Sequence, residues 1–530
     1  MSWESIAATK RQALKDSIPS EWVIPADIFP PEDQLDVSNF PKESGFFTER
    51  ELEIIATTAP IILSHLASGS WTSEEVTKTF CKAAAVAQQL TNCLSEIFFD
   101  KAITQAKELD AYLQQTGKTK GPFHGLPISI KDNFNLIGYD STIGFTSLVD
   151  KPATYNSTLV ELLLEAGAVL YCKTNVPTAM MIAESVNNLF GRTVNPQNRN
   201  LTTGGSSGGE SALISFGGSR LGVGTDIGGS LRIPAACTGI FTIRPSAGRF
   251  PNFRSRACLE GQESVIGVSG PMAKTLEEIV LWARTIVGQQ PWLRDPKCLP
   301  IPWRSVEPKK SLKIGIMWDD GFVTPTPPVT RALKKTVEKL KSAGHEIVTW
   351  EPTDHMQILM ALGRFFLADG GTSVRGLLEP TEEPFRPEMK HYEEAKEVSI
   401  YDLWQTHLSR NKLCKAYLDR WNDAGIDALL CATTPYSSVE NGKFAYAGYT
   451  CVYNLLDYPA VSFPCGINAD KCIDTAYTDH KALSDMDAKI QKDYFAESVH
   501  GIPVSLQLVG RRLDEENLLG MTDVILKATA

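Results

Sequence analysis

Between residues 201 and 234 the chain carries two glycine and serine runs close together. The first is Gly204-Gly205-Ser206-Ser207-Gly208-Gly209. The second is Gly224-Thr225-Asp226-Ile227-Gly228-Gly229-Ser230, followed by Leu231-Arg232-Ile233-Pro234. Glycine costs backbone entropy and is kept where φ must be positive or where the backbone must approach another group closely. A glycine run ending in serine lets the N–H groups of Ile227, Gly228, Gly229 and Ser230 turn toward one point beside the Ser230 hydroxyl. Acyl transfer asks for that combination: a nucleophile, and donors for the oxyanion that its attack creates.

A serine nucleophile needs a base. Upstream, Leu126 to Ile130 reads as a short buried strand that ends on Lys131. A lysine there is carried to the rim of a sheet, where desolvation disfavours the ammonium and lowers its pKa toward neutrality. Ser206, from the first run, fits between the two as a proton relay.

Other chemistries fit these residues less well. Ser207 is the centre of a Gly-x-Ser-x-Gly pattern, but a nucleophile elbow follows an apolar strand, and here Arg199-Asn200-Leu201-Thr202-Thr203 precedes it. Gly222-Val223-Gly224 with Gly228 misses the dinucleotide fingerprint by one residue, and no Gly-Lys-Ser/Thr follows a glycine loop. The eight histidines show no ligand spacing. His124 lies near the Lys131 strand, where a structural role fits better than substrate contact. No metal or cofactor is expected.

The two serine runs, together with Pro127-Ile128-Ser129-Ile130-Lys131-Asp132, resemble the amidase-signature family. Ser230 follows Ser206 by 24 residues and Lys131 by 99, matching the family spacing. The likeness spans most of the chain and is nearest to the fungal acetamidase-like, general amidase branch. That placement rests on Ser2-Trp3-Glu4, Ala87-Gln88-Gln89-Leu90-Thr91-Asn92-Cys93, Val186-Asn187-Asn188, Gly191-Arg192-Thr193-Val194-Asn195-Pro196 and Val509-Gly510-Arg511-Arg512. The resemblance implies a Ser-cisSer-Lys triad: Ser230 as nucleophile, Ser206 on a cis peptide as bridge, Lys131 as base. It also implies an oxyanion hole at residues 227 to 230, and supporting roles for Asp226 and Arg232, which hold the glycine loop by charge-assisted hydrogen bonds. Ser207 is placed with these supporting residues. The segment from Val176 to Asn188 would wall the acyl pocket, with Met180, Met181 and Ile182 making it apolar and adaptable.

The bulk properties agree with such an enzyme. A prior of roughly 150 residues per domain would divide 530 residues into three or four. No linker of glycine and serine, proline or single-sign charge does so, and the candidate catalytic segments fall within a hundred residues. The expected architecture is therefore α/β: one large domain with a twisted mixed sheet and helices on both faces, of about eleven strands by the resemblance. Residues 1–120 form an N-terminal arm and helical region packed on a core at 121–530, continuous with it. A net charge of −10 and the absence of a basic stripe with aromatics argue against nucleic acid. No uncharged apolar run reaches the ~18 residues of a membrane span. The start, Met-Ser-Trp-Glu-Ser-Ile, lacks a signal peptide's character. Eleven scattered cysteines without Cys-x-x-Cys suit small buried side chains in a reducing cytoplasm. The expected partner is a small-molecule amide, and a homodimer is compatible with the chain. Acyl length, amide against ester, and catabolic against secondary-metabolite use stay open. A dedicated deacylase on a larger substrate is the main competing enzyme; a non-catalytic subunit is disfavoured because all three triad residues are present.

Helical spacing is expected over 5–15, 48–67, 72–92 and 99–115, with a capping box at Thr72 and Glu75. Strands are expected over 126–130 and 168–173, separated by a helix at 158–166. A βαβ unit follows over 312–350, then a helical, lid-like stretch over 351–425. A short helix over 210–216, a strand over 221–223 entering the second serine run, and strands at 427–431, 460–463 and 504–509 complete the reading, with a polar, irregular insertion over 466–500.

Overall fold

The computed structural model describes residues 2–529. One eleven-stranded sheet runs through the molecule. In chain order its strands are β1 (Leu94–Ile97), β2 (Pro127–Lys131), β3 (Val169–Thr174), β4 (Leu221–Asp226), β5 (Phe241–Arg244), β6 (Val268–Ala273), β7 (Lys313–Met317), β8 (Glu346–Thr349), β9 (Ala428–Ala432), β10 (Ala460–Asn468) and β11 (Pro503–Val509). Across the sheet the order is β1-β3-β2-β4-β6-β5-β10-β11-β9-β7-β8. β3, β2 and β4 are mutually parallel, as are β9, β7 and β8, and the strands between the two groups are antiparallel. The expected mixed sheet flanked by helices on both faces is present.

Burial explains the composition of the central strands. Every residue of β2, β3 and β9 is buried. Strands covered on both faces lose the alternation of polar and apolar residues and read as continuous runs. That is why Pro-Ile-Ser-Ile-Lys, Val-Leu-Tyr-Cys-Lys-Thr and Ala-Leu-Leu-Cys-Ala were legible as strands.

The front of the chain is helical, with two differences from expectation. The stretch 48–67 is two helices, Glu49–Ala56 and Ala59–Ser68. Thr57 and Thr58 are extended between them, and Pro60, which has no N–H, sits in the first turn of the second. Thr72 caps Ser73–Thr91 by accepting the Glu75 N–H at 3.1 Å. The reciprocal half of the box does not form, because Arg50 takes the Glu75 carboxylate through two hydrogen bonds of 2.9 and 3.1 Å.

β1, β5 and β6 were not foreseen. β1 comes from the N-terminal region, so that region contributes a strand as well as helices. β6 reads Val-Ser-Gly-Pro-Met-Ala, a composition that signals a turn. The insertion 466–500 is less irregular than expected: β10 runs on to Asn468 across a bulge, and Asp485–Asp493 is a helix capped by Ser484. The stretch 351–425 contains the helices His355–Phe366, Thr372–Leu378, Lys390–Glu393 and Ile400–Ala424. Among the described residues no helix is long and apolar enough to cross a membrane.

Leu430 sits mid-strand in β9 with no exposure. Leu430→Ala should cost about 2 to 5 kcal/mol of stability, the usual range for a leucine cavity. The check is a lower denaturant midpoint at unchanged slope.

Candidate active site

The parallel register of β2 with β4 pairs Ser129 with Gly222 and Ile130 with Val223. Both strands therefore end on the same edge, one delivering Lys131 and the other Thr225 and Asp226. Lys131 has no exposure to solvent. Its Nζ lies 2.7 Å from Ser206 Oγ and 2.8 Å from Thr225 Oγ1. Burial pushes the amine down to about 7, against the opposing fields of Asp226, Asp132 and Glu210.

Ser206 follows a cis peptide from Gly205. A Cβ on Gly205 would lie 2.7 Å from the Ile182 carbonyl oxygen, so only glycine lets these backbones meet. Ser207 joins the two serine runs: its N–H donates to the Ser230 carbonyl at 3.1 Å, and its hydroxyl donates to the Thr225 carbonyl at 3.3 Å.

The turn after β4 is organised by one carboxylate. Asp226 accepts the N–H of Gly229 at 2.8 Å and of Leu231 at 3.1 Å. Arg232 donates to both Asp226 oxygens, at 3.1 and 3.2 Å, and to Asn454 at 2.6 Å and Gln507 at 3.3 Å. Burial alone would raise the Asp226 pKa; Arg232, with Arg244 and Asn454, outweighs it and holds the carboxyl at about 2. Gly229 has φ +130°, and a Cβ there would lie 2.2 Å from Thr450 Oγ1.

One expectation needs correction. Four N–H groups were assigned to the oxyanion hole, but that of Gly229 points back into Asp226. No acceptor among the described residues takes up the N–H of Ile227, Gly228 or Ser230. The turn therefore offers three donors rather than four.

Ser230 is half-buried and lies where two cavities meet. One, of about 650 Å³, is bordered by Ser206, Thr225, Asp226 and Ile227 and by polar residues including Asn133 and Arg256. The other, of about 300 Å³, is apolar, with Met180, Met181, Ile182, Leu359, Leu362 and Phe366 in its wall. Met180, expected in the wall of the acyl pocket, borders both cavities. His124 borders neither cavity, and its Nδ1 accepts the Lys120 N–H at 3.1 Å. Among the described residues no group of three or more His, Cys, Asp or Glu could hold a metal ion.

Sequence reasoning missed Thr225, Thr450, Cys451, Asn454 and Gln507. Thr225 was within reach, since it stands inside the second serine run. The others come from a helix and a strand more than two hundred residues downstream, with no spacing to connect them.

The Amidase family model matches residues 75–519. The chain belongs to the amidase family, hydrolases of linear amide C–N bonds. It is 42% identical over 540 residues to an acetamidase of Emericella nidulans, covering 99% of this chain and 98% of that one. It is also 42% identical over 543 residues to a putative amidase, kk1C, of Curvularia clavata, with coverage of 99% and 98%. A solved fatty acid amide hydrolase matches with a TM-score of 0.96 at 33% identity, covering 99% of this chain and 95% of that one.

Arg232→Met would leave Asp226 buried and unpaired. Breaking such a pair from one side typically costs about 3 to 5 kcal/mol. The variant should melt well below the parent and lose turnover with it; thermal unfolding and amide hydrolysis measured on one preparation test this.

Proposed function

We propose that this enzyme hydrolyses a carboxylic amide through an acyl-enzyme on Ser230, with Ser206 as the relay and Lys131 as the base. The observation that carries the reading is the fully buried Lys131 amine, held near neutrality and hydrogen-bonded at 2.7 Å to Ser206 Oγ beside the cavity that Ser230 borders. A neutral amine has a lone pair to accept a proton; an ammonium has none.

Ser230 Oγ attacks the amide carbon as its proton passes to Ser206 Oγ, and the Ser206 proton passes to Lys131 Nζ. The carbonyl oxygen becomes an oxyanion held by the N–H groups of Ile227, Gly228 and Ser230. Removing one such donor elsewhere costs about a hundred- to a thousand-fold in turnover. The relay then runs backward, protonating the nitrogen as the C–N bond breaks and the amine leaves. Water attacks the Ser230 ester and gives its proton to the same relay, which returns it to Ser230 Oγ as the Oγ–C bond breaks and the carboxylic acid departs. Asp226 and Arg232 hold the turn, and Ser207 ties it to the relay.

Met180 and its neighbours give the acyl group an apolar wall. Cavities of about 650 and 300 Å³ meeting at Ser230 exceed what acetamide needs and lie in the range of pockets for larger ligands. This favours the reading of a deacylase on a substrate larger than acetamide. Eleven unpaired thiols, including the exposed Cys472, fit work in a reducing cytoplasm.

Three measurements test the proposal. Ser230→Ala should lose all phosphonylation by a fluorophosphonate and all acyl-enzyme formation with an activated amide; mass spectrometry showing undiminished modification would overturn the assignment. In the parent, kcat/KM should rise with pH through a midpoint of about 7 to a plateau, since the protonated Lys131 below that pH cannot accept a proton. Acyl p-nitroanilides lengthened one methylene at a time should gain about fourfold in kcat/KM per methylene until the apolar cavity is full. A flat or falling series would favour acetamide-sized substrates.

A further inference from the structure

The three donors proposed for the oxyanion sit on a turn containing two adjacent glycines, Gly228 and Gly229. Glycine pairs let neighbouring peptide planes rotate almost freely. Something outside the turn must therefore set the planes, and the structure supplies it at one peptide unit. The peptide joining Gly228 to Gly229 is held at both ends. Its N–H, on Gly229, donates to Asp226 at 2.8 Å. Its carbonyl oxygen, on Gly228, accepts from Thr450 Oγ1 at 2.8 Å and from Cys451 Sγ at 3.1 Å. Because a peptide unit is planar, fixing both ends fixes its rotation. The flanking units, which carry the N–H groups of Gly228 and Ser230, then pivot from a fixed plane rather than a loose one.

Thr450 and Cys451 belong to the helix Gly448–Leu456, and Asn454, one turn further along it, accepts from Arg232 and donates to Asp226. One helix thus grips the turn at its carbonyl and at the carboxylate beneath it. Thr450 is fully buried. Its single hydroxyl proton is shared with the Ala447 carbonyl at 3.0 Å, the contact to Gly228 being the shorter. The close approach also explains Gly229, where any Cβ would collide with Thr450 Oγ1.

We propose that Thr450, assisted by Cys451, is a positioning residue for amide hydrolysis: it sets the oxyanion turn through the Gly228 carbonyl without touching the reacting atoms. The inference rests on the reading of residues 227, 228 and 230 as oxyanion donors. It names side chains that neither the serine motifs nor the triad point to.

The test is Thr450→Val, which keeps the shape and removes the donor, with Thr450→Ser as the conservative control. On an acyl p-nitroanilide, Thr450→Val should lose about ten- to a hundred-fold in kcat, part of what a lost oxyanion donor costs, with KM within twofold of the parent. Thr450→Ser should recover most of that loss. The Ki of a trifluoromethyl ketone bearing the same acyl chain should rise by the factor that kcat/KM falls, because both depend on the oxyanion. The pH midpoint near 7, set by Lys131, should not move. If Thr450→Val does not fold, Cys451→Ala should lower kcat about fivefold, the weight of one modest hydrogen bond, with the ketone Ki rising by the factor that kcat/KM falls. Parent-like kcat in soluble, folded Thr450→Val, or a ketone Ki unchanged while kcat falls, overturns the clamp. Ser230→Ala, run beside it, separates the two readings. If that variant still forms an acyl-enzyme, the nucleophile assignment fails; if it is inert while Thr450→Val is fully active, only the clamp fails.

Discussion

An amine sealed from water keeps its proton only where negative charge replaces the hydration it has lost. Lys131 lies in the fields of three carboxylates, and each is committed elsewhere. Asp226 is spent on Arg232, Asn454 and two backbone N–H groups. Asp132 accepts the Ser95 hydroxyl at 2.7 Å and the Ile143 N–H at 2.6 Å. Glu210 is itself pushed by burial to about 7, its oxygens taken by Ser129 and by Thr174 at 2.7 Å. None forms an ion pair with the lysine, so desolvation wins and the amine sits near neutrality. Had any one of them turned toward Nζ, the proposed relay would hold an ammonium that cannot accept a proton.

The sheet makes this arrangement possible. Parallel neighbours end on one edge, and the carboxyl ends of such strands are where open α/β sheets place their sites. β2 and β4 bring Lys131 and the glycine turn to that edge, and the loop entering the helix Gly208–Phe216 sets Ser206 against Lys131. The other half of the molecule then locks the turn. Gln507 of β11 and Asn454 of the helix Gly448–Leu456 both reach Arg232, so the buried pair it forms with Asp226 also joins parts of the chain far apart in sequence. A buried ion pair of this kind is weak evidence for stability but well suited to fixing register.

Two cavities of different character meet at Ser230. The apolar one is walled in part by Met180 and Met181, in a segment where Ala179 and Met180 both have positive φ, and in part by the helix His355–Phe366. Methionines and leucines there offer dispersion contact and adaptability rather than hydrogen bonds. The larger cavity is the more polar of the two, with Asn133, Asn135 and Arg256 in its wall.

Much of this was legible before any coordinates. β2, β3 and β9 announced themselves because burial on both faces leaves unbroken apolar runs, and the serine runs with Lys131 carried the chemistry because their spacing is local. β1 and β6 hid because one is a four-residue edge strand and the other contains Gly270 and Pro271, residues that mark turns in most settings. What the amino-acid order determined by itself was the supply of groups: an amine at a strand end, hydroxyls among glycines, an acid and an arginine six residues apart. Only the tertiary structure decided which of those groups act, since desolvation, donor direction and clamping depend on neighbours that meet through space. It turned the Gly229 N–H into Asp226, and it set Thr450 and Cys451 on the Gly228 carbonyl, though their chain positions carry no mark of that turn.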